Sequence, residues 1–473
     1  MEIRKSKMGS LKKGAVLASI TSLASFSMLT GLTGLAVPSK VFAEEKAPYE
    51  LKVGDVNLNF GGSIRLRTEY AKGALGVGTD EDANWTTQQT RFNIKAKIPG
   101  GIGAFIQIQD VRTWGGGDQS FPPPSSTGSG TDASANALDV HQGYFEIDSL
   151  LGSGLKLKAG RQEIVLDDAR LIGNIGWIQQ AQTFDAARFT YGSELVDVNL
   201  IGAQLLVTDT HPVLVPYLGV QPEADGQGRT DLDTDSNLYV LHASFKLDNG
   251  VINPFVYVVD DPTRLRPGTD DEGNRNVVHF NRIQTSGLFL KLKYGPVTVG
   301  FHGGVQSGDV NDDVKINAFF MAPSIAYDID KSFNVALWYD IYSGDEDPTD
   351  DELNTFNVLY ATNHSYFGFM DKFLSTPTNG LADTQIRVTK KFAGKHKVAA
   401  HYHIITTDPA ADQGGEDAGQ ELDLTYWYKS TKNLTYQLGT SWYAGTDDET
   451  NYGSTGDTRV DSTFGYAQIN VGF

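Results

Sequence analysis

Hydrophobic and polar positions alternate with a period of two along most of the chain. In residues 56–70, Val56, Leu58, Phe60, Ile64, Leu66 and Tyr70 alternate with Asn57, Asn59, Ser63, Arg65, Arg67 and Glu69. In 85–98, Phe92, Ile94 and Ile98 alternate with Arg91, Asn93, Lys95 and Lys97. At the carboxy-terminal end, Gly465, Ala467, Ile469, Val471 and Phe473 take one parity, and Phe464, Tyr466, Gln468 and Asn470 the other. Period two places successive side chains on opposite faces of a strand, so each segment predicts a strand with one oily and one wet face. About eighteen such segments follow one another, from 56–70 and 85–98 to 434–445 and 463–473.

The separators between them are alternately short and long. Pro99-Gly100-Gly101, Gly192-Ser193-Glu194, Asp248-Asn249-Gly250 and Gly295-Pro296 have the composition of tight hairpin turns. Residues 115–135, 209–236 and 344–382 are long and rich in Asp and Gly. The expectation is an all-β, transmembrane antiparallel β-barrel of about 18 strands, with short periplasmic turns and long extracellular loops. A soluble sandwich alternates too, but does not need so many strands. Aromatics near strand ends, such as Tyr426, Tyr428, Tyr436 and Trp442, fit interfacial girdles.

Residues 1–43 read as a secretory signal. A basic start with Arg4, Lys5, Lys7, Lys12 and Lys13 precedes an apolar stretch and Val41-Phe42-Ala43, a small-residue cleavage pattern. The expected plan is a signal peptide at 1–43 cleaved near Ala43, a periplasmic leader at 44–55, and the barrel at 56–473. Removing the signal, with its six basic residues and one acidic residue, leaves 33 basic and 57 acidic residues, a net charge of −24. Such an acidic chain argues against nucleic acid as a partner. The absence of cysteine removes disulfides, thiolate metal sites and cysteine nucleophiles.

The wet faces carry the candidate chemistry. Turned inward, they put Arg65, Arg67, Arg91, Lys95, Arg188 and Arg387 on a lumen wall, together with Lys97, Lys156, Lys158, Lys246, Lys291 and Lys293, of which Lys97, Lys158 and Lys293 have the alternative of anchoring in lipid headgroups near the strand ends. Fixed cations on the wall of an aqueous channel favour anions. The excess acid falls in the long loops, as in Asp231-Leu232-Asp233-Thr234-Asp235. That run resembles the opening of a calcium loop, but Ser236 replaces its Gly and His242 stands where the closing Glu belongs. The expectation is a solvated loop, bridged loosely to lipid phosphates by divalent ions. His401 and His403 share a strand face with no third ligand evident in the sequence, so they read as polar lumen lining, and neither a metal nor another cofactor is expected. No Gly-x-Ser-x-Gly, His-Glu-x-x-His or Gly-x-x-x-x-Gly-Lys motif occurs, and the chain does not read as an enzyme.

The stretch from Gly160-Arg161-Gln162-Glu163 through Arg170-Leu171-Ile172-Gly173 and Trp177 to Phe184-Asp185-Ala186-Ala187-Arg188 resembles the alginate export family of outer-membrane barrels. Thr362-Asn363-His364 followed by Gly368-Phe369-Met370-Asp371 is similar to that family's second motif, in a long loop. The resemblance implies an eighteen-stranded outer-membrane channel with an Arg-rich interior that passes an anionic polysaccharide by passive diffusion. Guanidinium groups pair with carboxylates in a bidentate way, and many weak sites still let a polyuronate go. It also implies that Arg161, Glu163, Asp167, Arg170, Asp185 and Arg188 form one charged network near the outer strand ends, where residues 166–182 fold inward, the network either narrowing the pore or pinning that loop to the wall. Family members can be plugged by a long periplasmic loop, whereas every short-side connection here is a few residues. The partners expected are an anionic solute or polysaccharide such as alginate, outer-membrane lipid and lipopolysaccharide, and a periplasmic secretion component, around a monomeric barrel. Two other readings stay open: a general small-solute porin, and a barrel sheathing a periplasmic electron-transfer or secretion partner.

Overall fold

A computed structural model describes residues 49–73, 82–114, 138–206, 236–269, 275–310, 314–345, 347, 350–407, 416–447, 450, 452–454 and 457–473. The signal reading at 1–43 and the acidic run at 231–235 lie outside the described residues. The strands are β1 Tyr49–Val53, β2 Val56–Lys72, β3 Asp82–Ile98, β4 Ile102–Thr113, β5 Leu138–Ile147, β6 Lys156–Gln162, β7 Phe184–Gly192, β8 Val196–Leu206, β9 Ser236–Leu247 and β10 Gly250–Thr269. They continue with β11 Arg275–Tyr294, β12 Val297–Asp309, β13 Lys315–Asp330, β14 Phe333–Tyr342, β15 Glu352–Leu353, β16 Leu381–Phe392, β17 His396–Thr406, β18 Asp417–Lys429, β19 Leu434–Ala444 and β20 Ser462–Gly472.

Eighteen of these strands, all but β1 and β15, pair antiparallel with their neighbours in chain order, and β20 pairs with β2 to close the ring. The closing ladder runs from Ser63 opposite Gly472 to Lys72 opposite Thr463. Closure leaves no row of unpaired amides to face hydrocarbon, where each would cost several kcal/mol. At the seam, Gly62 exchanges backbone hydrogen bonds with Phe473 at 2.8 and 3.0 Å. A Cβ on Gly62 would run into the Phe473 ring and the Arg91 carbonyl, so the position needs glycine. The eighteen strands are those read from the alternation. β1, which folds back on the start of β2, occupies part of the stretch read as a leader.

The faces separate as the alternation predicts. Large apolar side chains cover the outer wall, among them Ile106, Phe145, Leu200, Leu241, Ile325, Leu337, Ile386 and Leu438. Tyr191, Tyr294, Tyr327 and Phe392 are exposed near the short-turn rim and form the aromatic collar of that end. At the long-loop end the outer wall turns polar, with Asp260 3.6 Å from Arg282 and Lys315 on Asp309. Inside, the buried core lies within the ring, built from inward strand positions such as Phe255, Tyr257 and Phe320 and from two long connections.

Candidate functional site in the lumen

Two connections on the long-loop side turn back into the barrel: residues 163–183, between β6 and β7, and residues 354–380, before β16. They fold inward because they carry apolar groups that water would penalise. Ile164, Leu166, Leu171 and Ile172 of the first bury against Phe356, Tyr360, Phe367, Met370 and Phe373 of the second, each side chain contributing roughly 1.5–3 kcal/mol when fully removed from water. Six of the eight non-glycine residues with positive φ among the described residues lie here: Asp167, Ala169, Ile175, Ala181, Leu359 and Asp371. A left-handed L-residue costs about 1–2 kcal/mol, so the path is held by its contacts.

The two segments make one unit. Ile172 and Tyr360 form a parallel bridge, with Gly173 N–H donating to Tyr360 O, Tyr360 N–H to Leu171 O and Thr362 N–H to Ala169 O, each at 2.9 Å. The Trp177 indole lies flat on the His364 ring, 3.8 Å between centroids, and the Arg67 guanidinium stands 3.8 Å over the same indole. His364 Nδ1 is 2.8 Å from Asp371 Oδ1.

Wall side chains then hold this unit from opposite sides. From β2, Arg65 donates to Gly176 O and Ile178 O at 2.6 Å and to Gln179 Oε1 at 2.7 Å, and Arg67 donates to Trp177 O at 2.8 Å. From β3 to β5, Arg91 reaches Gln109 Oε1 at 2.7 Å, His141 Nε2 at 2.8 Å and Glu163 Oε1 at 3.2 Å, and Gln89 donates to Gln179 O. Across the lumen, Asp167 meets His242 of β9 at 2.9 Å and Asn253 of β10 at 2.6 Å, and Asp168 meets His302 of β12 at 2.9 Å. Arg170 donates to Asp340 Oδ2 at 2.8 Å and Tyr342 Oη at 3.2 Å on β14, and stacks 3.8 Å over Tyr366. Strands β3 and β12 are nine apart in an eighteen-strand ring, which makes them diametrically opposite. Residues 167–180 are therefore a crossbar over the lumen. The second segment is seated by Gln385 on Tyr366 O at 3.0 Å, Arg387 on Ser365 O at 2.9 Å, and Met370 N–H on Glu421 Oε1 at 2.8 Å.

Electrostatics favours the clasped form. Burial by itself would raise the Glu163 carboxyl, but the His141 hydrogen bond and the Arg91 charge hold it down at about 2. Burial opposes the Asp168 charge as well, and His302 and Arg170 outweigh it, keeping that carboxyl below its ordinary range. The Arg170 guanidinium, desolvated but facing Asp340, is held well above its usual value. In the second segment, burial lowers Lys372 to about 8, although its ammonium donates to Asp457 O at 2.6 Å.

Of the arginines read as pore lining, Arg65, Arg67, Arg91 and Arg387 face the lumen, and each gives at least one donor to the inward segments, Arg91 and Arg387 sharing the rest with wall residues Gln109, His141 and Gln385. Glu163, just before the crossbar, and Arg170 within it are pinned to the wall. The single charged network expected around them does not form. Arg161 and Asp185, expected in the pore, pair at 2.9 Å on the outer wall. Arg161 is opposite Gly143, which is opposite the exposed Ile106, and it continues the outward row of Leu157 and Ala159. Arg188 faces inward nearer the short turns, donating to Asn199 Oδ1 at 2.8 Å, and Lys95 is half-buried on the same lower wall. Sequence reading missed the wall partners His141, His302 and Asp340. Their signal was a polar residue at an inward strand position, which does not say what it meets.

Below the crossbar, toward the short turns, the inward positions carry Lys95, Lys158, Arg188, Lys291, Lys391 and Lys397; carboxylates share this wall, with Glu146 opposite Lys158, Asp197 2.7 Å from Lys246 and Asp328 2.5 Å from Lys293, and the cations outnumber them. The Lys158 and Lys397 ammonium groups stand 3.8 and 3.9 Å over the Tyr144 and Trp427 rings. The lumen is therefore a basic vestibule beneath a hydrogen-bonded constriction.

A family model described as alginate export matches residues 56–447. Comparison with curated proteins gives no match. Among solved structures, the chain is similar to OccD3 (OpdP) of Pseudomonas aeruginosa, with TM-score 0.55 and 12% identity over 93% of this chain and 96% of that one. It is also similar to OccAB1 of Acinetobacter baumannii, with TM-score 0.54 and 17% identity over 91% and 99%. At these identities the likeness is one of fold.

Proposed function

From the premise that this chain belongs to the alginate export family and is an outer-membrane β-barrel channel, we propose that it passes anionic solutes, an acidic polysaccharide such as alginate among them, by passive diffusion. The observation that carries this reading is the basic vestibule under the crossbar. Its cations lie at inward positions on several strands of the lower wall, in excess over the carboxylates beside them, where a polyanion threaded from the periplasm meets many weak sites and no single tight one. The crossbar supplies the gate, since its clasp must yield for a chain of sugars to pass. Release from the signal near Ala43 and a periplasmic secretion partner belong to the same reading.

The test is reversal potential under a salt gradient in planar bilayers, for the mature protein and for a variant combining Lys95→Gln, Lys158→Gln and Lys397→Gln. Anion selectivity that falls in the variant, together with current block by oligouronate added on the short-turn side, is expected. Cation selectivity in the unaltered protein would overturn the reading. Anion selectivity without oligouronate block would favour a small-solute porin on the same scaffold.

A further inference from the structure

We propose that the inner wall between β17 and β18 is a divalent transition-metal site formed by His401, His403 and Asp423. The two histidines are two residues apart on the inward face of β17, and Asp423 stands opposite His401 in the ladder. One ligand atom from each lies within 4.8 Å of the other two. His403 Nε2 and Asp423 Oδ2 are 3.4 Å apart. That is about the edge of a tetrahedron drawn around zinc with ligands at ~2.0–2.1 Å.

The surroundings resemble those of a metal centre. His403 Nδ1 is 2.7 Å from Asp383 Oδ2, so a carboxylate behind the imidazole holds the ring with Nε2 turned toward Asp423, as outer-shell carboxylates do for metal-binding histidines. Yet His403 Nε2, His401 Nδ1 and both Asp423 oxygens are buried without a hydrogen bond, and His403 and Asp423 are each about 1% exposed. Orphaned buried polar atoms cost roughly 1–3 kcal/mol each. A proton on His403 Nε2 would bridge to Asp423, which also faces Ser441 and Glu421, and would still leave His401 Nδ1 alone. One cation can take one ligand atom from each of His401, His403 and Asp423, and Glu421, opposite His403 in the ladder, is a second buried carboxylate beside them. The charges around the cluster are Asp383, Asp423, Glu421 and Asp371 against Lys397, Lys372 and Arg387, the last of which pairs across the ladder with His401. Two imidazoles and a carboxylate select zinc-like ions over calcium or magnesium.

The site lies under the second inward segment. Glu421 holds Met370 N–H through its other oxygen, and the Phe369 ring packs edge-on against His401 at 5.6 Å. A bound metal would stiffen that seat.

The test uses tag-free, metal-stripped, full-length barrel titrated with Co²⁺ and then Zn²⁺. Expected is a saturable, one-to-one visible absorption band of the low-symmetry kind, displaced by Zn²⁺. It should be lost in His401→Gln and in His403→Gln, and weakened about 10–100-fold in affinity in Asp383→Asn. His396→Gln, a histidine of the same strand pointing outward, should leave it unchanged. Heat-modifiable electrophoretic mobility checks that each variant is a folded barrel. Absence of a saturable band at micromolar metal, or a band indifferent to both His401→Gln and His403→Gln in folded protein, would overturn the proposal.

Discussion

Replacing Arg170 with Gln should unclasp the crossbar and leave the barrel standing. The Arg170 side chain is 2% exposed and Asp340 is fully buried, 2.8 Å away. The change removes a charge-assisted hydrogen bond to Asp340, the contact with Asp168 at 3.4 Å and the stack on Tyr366. Breaking one side of a buried ion pair costs about 3–5 kcal/mol, and Asp340 keeps the Gln385 hydrogen bond at 3.0 Å and the Arg387 charge nearby, which puts the loss at the low end. At about 1.4 kcal/mol per factor of ten, a 3 kcal/mol loss raises the population of the unclasped state roughly 100-fold. Single-channel recording should then show frequent, long openings to a larger conductance where the unaltered protein shows rare ones. Arg170→Met with Asp340→Leu, which removes both charges, should restore much of the closed behaviour. Arg161→Gln, which removes the exposed outer-wall pair with Asp185, should change nothing beyond the ~0–1 kcal/mol of a surface ion pair. If Arg170→Gln records like the unaltered channel while migrating as a folded barrel, the crossbar is not a gate held by this clasp.

Three more outcomes follow from the same geometry. Glu163, held at about 2 against an unfolded value near 4.3, contributes stability that is present above pH ~4.3 and lost as pH falls through 2; Trp177 fluorescence should report loosening over that window, and less of it in Glu163→Gln. Lys372, lowered to about 8, binds fewer protons folded than unfolded between pH 8 and ~10.4, so resistance of residues 354–380 to proteolysis should rise with pH across that range and flatten in Lys372→Met. In Gly173→Ala, the new Cβ would run into Thr362 Oγ1 and sit 2.9 Å from Ala169 Cβ, costing about 1–3 kcal/mol where the two segments join; faster hydrogen exchange at Tyr360 and Thr362 is the readout.

The barrel was legible in the sequence, and the constriction was legible only in part. Arg65, Arg67, Arg91 and Arg387 could be put on the lumen face because parity along a strand is local. The motif around Gly160–Arg188 suggested a segment folding inward. It did not suggest that the Thr362–Asp371 motif is the other half of the same unit, although Trp177 on His364 joins them. Arg161 was misplaced because it sits at a strand end, where polar residues occur on both faces once the wall leaves the lipid.

By itself the sequence determined the number of strands, the oily and wet faces, and which rim carries short turns. Those follow from the two-residue period of a pleated strand and from turn chemistry, both of which act over a few neighbouring residues. The tertiary structure alone decided that Arg170 meets Asp340 across 170 residues of chain and that Asp423 joins His401 and His403. The register between strands and the path of a long connection are set by which distant groups satisfy one another once buried, and no local pattern carries that information.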